Sequence, residues 1–451
     1  MVMSGNQALQ ANVGFLGALV FAVSLVLGSG ILVLPGVIYH SIGELAIFTW
    51  LADALLMVPL VIIFASFGSK YPGSGGVAGF IEQAFPYLSG GSAYLLLGQC
   101  SICFAIVAIT GILYSFALLL PNFHASHMLV AGLSLALIFI VFFISFLGNH
   151  RVIWLQKLII IPLLLFLLVL IFLSINHPDA ATSSIAYWPK HFDMGLITQG
   201  MILAFFAFGG WESFASMTGE IKRPARTVPF VIFVGFLLTV GLYVGLSIAV
   251  QKIFFEKSMM MGSSFLLDLV QVNHLGQFSV TVCFFIVFIV VIANLNGVIW
   301  SGSRTLVTLG QKGWAPEFLD LAKLTHKKVL PLHALLIFLA LSSISLLLYA
   351  LNILSFATLI CLASQSSMLL YIFCVLAYLR LERSLIAKLV GGLALIICVA
   401  FTAQFGRSLW ISFLYVTVGV VYQNRVLLLM KFTDYKEYLF DFFIKRYFSI
   451  K

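Results

Sequence analysis

Two glycine stretches lie inside apolar segments of the chain, where they predict exposed backbone groups. The first is Gly28–Gly30, which includes Ser29, and the second is Gly209–Gly210. Glycine destabilises a helix interior by about 1 kcal/mol relative to alanine, and a break leaves N–H and C=O groups without helical partners. The N–H groups that begin the next half-helix can hold a carboxylate, because the helix dipole is positive there.

The chemistry of such a break is that of binding a zwitterion. Carbonyl groups at the end of the preceding half-helix, near Val26, can accept hydrogen bonds from an α-ammonium, and the Ser29 hydroxyl can donate to an α-carboxylate. Close helix packing through small residues is the alternative explanation for Gly28 and Gly30 when they are considered alone. The second stretch, at the corresponding depth of another segment, favours a binding site.

Two acidic residues also lie deep in apolar segments. A charge there costs at least ~2.5 kcal/mol on insertion scales, so such a residue usually faces an interior partner or carries a proton. For Glu212, three roles stay open: a structural or gating partner, a proton-coupling group, or a direct substrate contact. Asp53 is a second candidate for gating or proton coupling, and no motif surrounds it.

No catalytic or metal-binding cluster is recognisable in the sequence. The six cysteines all lie in apolar segments, and the Cys100–Cys103 CxxC pair has no second pair and no histidine nearby. The nine histidines are scattered. We therefore expect no metal, no cofactor and no disulfide, and a membrane-embedded enzyme such as a lipid-modifying transferase is the less favoured class.

The elements that position these residues are predicted to be membrane helices. Of the 451 residues, 62% are hydrophobic and 9% are charged, which is more apolar material than a water-soluble surface can hide. Segments of about 20 apolar residues can cross ~30 Å of hydrocarbon. Twelve are predicted, at 14–38, 44–68, 91–120, 128–148, 152–175, 196–217, 228–250, 276–301, 332–350, 353–379, 386–404 and 408–430.

Basic residues set the predicted orientation, since Lys and Arg are retained on the cytoplasmic side. With the N-terminus inside, twenty of the 24 fall in inward loops or the C-terminal tail, and the other four are Lys190, Lys252, Lys257 and Arg407. Both termini are thus predicted to be cytoplasmic. The net charge of +9 is mainly a topology signal, and nothing else favours a nucleic-acid partner. No cleavable signal is recognisable before residue 14.

The segments that carry the two breaks are the first and the sixth. This spacing is typical of a transporter built from two inverted five-helix repeats whose broken helices meet near the bilayer midplane. The predicted parts are a first repeat over 1–175, a second over 196–379, helices eleven and twelve over 386–430, and a tail over 431–451. Aromatic residues recur at helical spacing in the tail, which predicts a helix in the cytoplasmic interface.

Four stretches resemble the amino acid–polyamine–organocation (APC) transporters: GSGILVLPG from residue 28, YPGSGGVAGF from 71, AFGGWESFASMTGEIKRPARTVP from 207 and SRTLVTLGQKGWAPEF from 303. Within this superfamily the chain is most similar to bacterial exporters of methionine and branched-chain amino acids. Ser66 and Val77 stand where many importers have Glu. The resemblance implies a single all-α transporter domain of the leucine-transporter type, with alternating access, in a bacterial cytoplasmic membrane.

The resemblance also implies roles for particular residues. Carbonyl groups near Phe206 and Gly209 would meet the substrate amine, Phe206 would act as an aromatic lid, and Val298 lies where the family places a side-chain-pocket residue. Asn294 and Asn296 do not share a helix face. We expect Asn296, which is nearer to Val298 in the sequence, to line the cavity. The alternative role for this side chain is a hydrogen bond between helices.

Apolar residues around the breaks predict neutral hydrophobic substrates, namely L-methionine, L-leucine, L-isoleucine and L-valine. The resemblance to the exporters implies that these substrates are moved outward across the lipid bilayer. Import or exchange by the same family stays open, and an amino-acid sensor on a transporter scaffold is the alternative from another class. Lys157 is expected at the cytoplasmic interface rather than as an internal cation. Coupling of transport to protons stays open, and no motif indicates coupling to sodium. The sequence does not predict the oligomeric state.

Overall fold

The computed structural model describes residues 12–73, 75–120, 125–145, 149–177, 189, 191–254, 265–322 and 332–425. Over these ranges the regular structure is helical, with one isolated β-bridge between Val13 and Ile221. The α-helices are α1 (Phe15–Leu27), α2 (Gly30–Ile42), α3 (Ala46–Lys70), α4 (Gly76–Ala84), α5 (Ser89–Leu119), α6 (His127–Ser145), α7 (Asn149–Ile175), α8 (Met194–Ala204), α9 (Trp211–Ala215), α10 (Pro224–Phe254), α11 (Phe265–Val272), α12 (Gly276–Gln311), α13 (Leu332–Ala350), α14 (Phe356–Leu381), α15 (Leu385–Thr402) and α16 (Leu409–Gln423).

Much of this helical structure has the length and composition of membrane spans. Within the described residues, nine stretches are long and apolar enough to cross a bilayer, and two shorter apolar helices cover Ile160–Ile175 and Leu409–Gln423. The predicted all-helical, multi-pass membrane class is therefore confirmed. The predicted tail helix over 431–451 lies outside the described residues.

Both glycine stretches interrupt their helices. The helix α1 ends at Leu27, Gly28 has a φ of +39°, and α2 begins at Gly30. The helix α8 ends at Ala204, a short 3-10 turn follows, and α9 begins after Gly210, whose φ is +115°. Only glycine adopts such positive φ values without steric cost, so the glycines allow the chain to break at these two places.

Long helices hold the interrupted ones in position. The helix α3 packs along α10, and α5 packs along α12, α14 and α16. The α5–α16 contact is close because glycines face each other: a Cβ built on Gly419 would lie 2.5 Å from the Gly90 carbonyl oxygen. This contact fixes α5, which forms part of the cavity wall described below.

The residues that precede α1 are tied to those that follow α9. The Val13 N–H donates to the Glu220 carbonyl oxygen at 2.9 Å, and the Lys222 N–H donates to the Val13 carbonyl oxygen at 2.8 Å. The two interrupted helices are thus linked through the backbone at one end of the helix bundle.

Candidate functional site

A cavity lies where the two interruptions meet, with further walls from α5, α12 and α14. Most residues predicted for the site line it: Val26, Gly28, Ser29, Gly30, Phe206, Gly209, Glu212 and Val298. Asn296 and Asp53 do not belong to its lining. The two glycine stretches, which begin 181 residues apart in the chain, therefore contribute to one site.

The two interruptions touch each other at Gly210. A Cβ built on this glycine would lie 3.1 Å from the Leu25 carbonyl oxygen and 3.3 Å from the Val26 Cα atom. The positive φ of Gly210 disfavours a side chain as well. Glycine at this position lets α9 begin directly beside the end of α1.

Side chains from other helices hold the carbonyl groups at the end of α1. The Asn294 side-chain amide donates to the Ser24 carbonyl oxygen at 2.7 Å and to the Leu25 carbonyl oxygen at 3.4 Å. The Tyr243 hydroxyl donates to the Leu27 carbonyl oxygen at 3.2 Å. The last four carbonyls of a helix lack intrahelical partners, and the fourth one here belongs to Val26, which lines the cavity.

These side chains also explain why the first interruption needs glycines. A Cβ on Gly28 would lie 2.7 Å from Asn294 Nδ2, and a Cβ on Gly30 would lie 2.7 Å from the Tyr243 hydroxyl oxygen. Tyr243 is itself fixed by stacking on Trp50, with ring centroids 4.4 Å apart. The backbone at the break is therefore positioned by α3, α10 and α12 together.

The two asparagines of α12 lie in different surroundings. Asn294 lines the cavity, whereas the Asn296 amide donates to the Ile292 carbonyl oxygen of its own helix at 3.1 Å. Residues four apart share a helix face and residues two apart do not. Because Val298 lines the cavity, Asn294, four residues before it, shares its helix face, and the predicted Asn296 does not.

Glu212 forms a buried hydrogen-bond network between three helices. Its side chain is 1% exposed. The Tyr371 hydroxyl of α14 donates to Oε2 at 2.6 Å and the Gly210 N–H donates to the same oxygen at 3.0 Å. On the other oxygen, the Gln99 side-chain amide of α5 donates, and the Ser367 hydroxyl of α14 lies at 3.5 Å. Every group around this carboxyl is a donor, which suits a carboxylate.

Asp53 has the opposite surroundings. Its side chain is 1% exposed in the first half of α3, and neither carboxyl oxygen has a hydrogen-bond partner among the residues that the structure describes. A buried carboxylate without donors is costly. The two acidic candidates therefore differ: Glu212 is fully supported by donors, and Asp53 is not.

The cavity wall is more polar than the sequence predicted. Phe205, Phe206, Val107 and Val298 are apolar, but Gln99, Cys100, Cys103, Ser213 and Ser367 also line it. On α5, Gln99, Cys103 and Val107 follow each other at intervals of four and share one helix face. That spacing was present in the sequence, whereas the approach of Ser367 and Tyr371 from α14 had no local signal.

A buried ion pair lies close to the backbone bridge at Val13. Arg304 Nε is 3.4 Å from Glu220 Oε1, and both side chains are about 5–6% exposed. The Arg304 guanidinium also lies over the Trp300 ring, 4.8 Å from its centroid. The pair joins α12 to the segment after α9, at one end of the interrupted helix.

Among the described residues, no group of three or more His, Cys, Asp or Glu side chains has a geometry that could hold a metal ion. The cysteines found there are free. A helical membrane protein with two interrupted helices around one cavity has the arrangement of a membrane transporter.

The family follows from comparison with known proteins. The family model described as amino acid permease matches residues 13–425, and the chain belongs to this family of APC-superfamily transporters. It is 29% identical to an uncharacterized amino acid permease of Bacillus subtilis (strain 168), over 72% of this chain and 75% of that relative. It is 28% identical to the L-methionine/branched-chain amino acid exporter of Escherichia coli (strain K12), over 85% of this chain and 89% of that exporter. A cadaverine/lysine antiporter of the same strain is 30% identical over 46% of this chain and 47% of the antiporter. Membership indicates amino acid transport rather than an enzymatic reaction.

Proposed function

We propose that the protein exports neutral hydrophobic L-amino acids, namely methionine, leucine, isoleucine and valine, across a bacterial cytoplasmic membrane by alternating access. The observation that carries this proposal is that both helix interruptions line one cavity with Val26, Ser29, Gly30, Phe206 and Gly209. Backbone groups at helix ends suit a zwitterion, since they supply donors and acceptors without a buried counter-charge.

In this proposal the first interruption recognises the substrate backbone. The N–H groups at the start of α2, with the Ser29 hydroxyl, hold the α-carboxylate. The carbonyl group of Val26 accepts from the α-ammonium, because those of its neighbours Leu25 and Leu27 already receive hydrogen bonds from Asn294 and Tyr243. The Phe206 carbonyl meets the same ammonium, and its ring closes over the substrate.

The proposed architecture is one transporter domain with twelve membrane spans. Inverted repeats cover 1–175 and 196–379, the last two helices lie over 386–430, and 431–451 rests on the cytoplasmic interface. Both termini are cytoplasmic in this arrangement, which places the Glu220–Arg304 ion pair at the cytoplasmic end of the interrupted sixth span. There the pair holds the inner path closed while the cavity exchanges substrate with the outside.

Export is supported by the similarity to the Escherichia coli exporter over 85% of the chain. Ser66 and Val77 support the same direction, because many importers of the superfamily carry Glu at these places. Transport in the opposite direction, import, would make cells that overproduce the protein more sensitive to toxic amino acid analogues.

We assign proton coupling to Asp53. Its carboxyl group has no donor among the residues described, so a proton would offset the cost of burying it. Glu212, surrounded by donors, is assigned a structural and gating role. Under this assignment, Asp53→Asn leaves substrate binding in place and removes the dependence of transport on a proton gradient.

Purified protein in liposomes tests the proposed activity. We expect labelled leucine to exchange across the bilayer and unlabelled methionine, isoleucine and valine to compete, while lysine and glutamate do not. Cells that overproduce an exporter should tolerate toxic leucine or methionine analogues better than control cells. Greater sensitivity would identify an importer, and binding without movement would identify a sensor.

A further inference from the structure

Gln99 introduces a polar group into a cavity wall that otherwise suits aliphatic substrates. The side chain is 3% exposed and lies on α5, one turn before Cys103 and two turns before Val107, all of which line the cavity. Ser213 and Ser367 line it as well. One part of the wall thus carries hydrogen-bonding groups.

The orientation of the Gln99 amide is fixed by its neighbours. Its nitrogen donates to Glu212 Oε1 and, at 2.6 Å, to the Ser367 hydroxyl oxygen. The reverse orientation would set the amide oxygen against the Glu212 carboxylate, where neither group can donate. The chemistry therefore selects the nitrogen for Glu212.

This orientation leaves the amide oxygen as an unused acceptor. Gln99 Oε1 is buried and has no hydrogen-bond partner in the described part of the chain. Buried acceptors are nearly always satisfied, by protein groups, by water or by a ligand. Because Gln99 lines the cavity, a ligand bound there can supply the missing donor.

We propose that Gln99 Oε1 accepts a hydrogen bond from a hydroxyl group on the side chain of the substrate. The inference rests on the proposed function and extends its substrate class. Small hydroxylated amino acids, threonine above all, are substrates in addition to the aliphatic ones. Threonine has the shape of valine with a hydroxyl in place of one methyl group. A purely apolar pocket would disfavour that hydroxyl because of its desolvation, whereas Gln99 compensates it.

Competition by matched amino acids measures this effect in the wild-type protein. In leucine counterflow by proteoliposomes, we expect the half-inhibiting concentrations of threonine and valine to agree within about threefold, and those of serine and alanine likewise. A half-inhibiting concentration of threonine that exceeds that of valine by about tenfold or more would overturn the inference. The amide oxygen would then be satisfied by a fixed water molecule.

Variants test whether Gln99 is responsible. Gln99→Met removes the acceptor at similar side-chain volume. It should raise the half-inhibiting concentration of threonine relative to that of valine by about tenfold or more. Gln365→Met is the matched control, because Gln365 is a fully buried glutamine of α14 paired with Ser408. An unchanged threonine-to-valine ratio in Gln99→Met would refute the assignment.

The ratio separates this inference from the proposed function. If leucine and valine exchange normally while threonine does not compete, the proposed function stands and the role of Gln99 is wrong. If no neutral amino acid exchanges, the proposed function itself fails. If Gln99→Met loses all activity because the hydrogen bond to Glu212 is lost, the comparison of threonine with valine in the wild-type protein still tests the inference.

Discussion

The Tyr371 hydroxyl donates to Glu212 Oε2 at 2.6 Å and so joins α14 to the first turn of α9. The same oxygen accepts the N–H of Gly210, the glycine that touches the end of α1. A tyrosine of the second half of the chain thus fixes the place where the two interrupted helices meet. Movement of α14 would be transmitted directly to this place.

Removal of that hydroxyl should affect both stability and transport. Hydrogen bonds to charged groups contribute about 1.5–3 kcal/mol, so we expect Tyr371→Phe to lower the free energy of unfolding by about that amount and to slow transport. Thermal unfolding and counterflow measure the two effects. The control is Tyr349→Phe on α13, a buried tyrosine that does not line the cavity. Equal losses of stability and transport in the two variants would show that the Tyr371 hydroxyl does not fix the place where the interrupted helices meet.

The two glycines of the second interruption should respond differently to alanine. Gly210 has a φ of +115° and its Cβ would lie 3.1 Å from the Leu25 carbonyl oxygen, whereas Gly209 has an ordinary φ of −70°. Strained backbone conformations cost about 1–3 kcal/mol. We expect Gly210→Ala to abolish leucine counterflow and Gly209→Ala to retain part of it.

Gly241→Ala on α10 provides the control for this pair, because a Cβ there meets nothing within 4 Å. Its transport should match that of the unaltered protein. Normal transport by Gly210→Ala would show that the contact between the two interruptions is not needed.

The two glycine stretches could be predicted as breaks because they recur at corresponding depths of the first and sixth apolar segments. A single glycine in such a segment also serves close helix packing, as Gly90 and Gly419 do. The meeting of the two stretches at one cavity followed from the repeat spacing. Asn294 could also have been predicted, from its position four residues before Val298. In contrast, Tyr371 and Ser367 come from a helix more than 150 residues after Glu212, and no local pattern in the sequence pairs them. Contacts of that kind depend on tertiary packing.

Asn294 should matter far more than its neighbour Asn296. Its amide holds carbonyl groups of α1, while the amide of Asn296 donates within its own helix to Ile292. We expect Asn294→Ala to cost about 1–3 kcal/mol of stability, because a buried carbonyl loses its donor, and to weaken substrate binding. Asn294→Asp, which places a carboxylate against carbonyl oxygens, should be worse. Leucine binding and thermal unfolding, with Asn296→Ala as control, test this; similar losses in both alanine variants would contradict it.

Loss of the Glu220–Arg304 ion pair should destabilise the protein strongly. Removing one partner of a buried pair costs about 3–5 kcal/mol, since the other charge stays buried. Arg304→Gln should therefore unfold at a clearly lower temperature, and Arg304→Gln with Glu220→Gln should recover part of the loss. The half-exposed pair Lys312–Glu82 is the control, for which Lys312→Gln should cost at most about 1 kcal/mol. No recovery in the double variant would show that the two charges are not coupled.

Asp268 should make stability depend on pH. This residue lies on α11, between the membrane-spanning helices α10 and α12, and burial raises its pKa from 3.8 to about 6. Because the folded state binds the proton more tightly than the unfolded state, the stabilisation is fully present below pH 3.8 and is lost as the pH rises through about 6. We expect this contribution to lower the unfolding temperature of the protein in detergent between about pH 4 and 6.5. Asp268→Asn, which stays neutral and keeps the shape of the side chain, should remove this contribution and be more stable than the unaltered protein at pH 7. A difference between the two proteins that does not change over this range would show that Asp268 titrates alike in the folded and unfolded states.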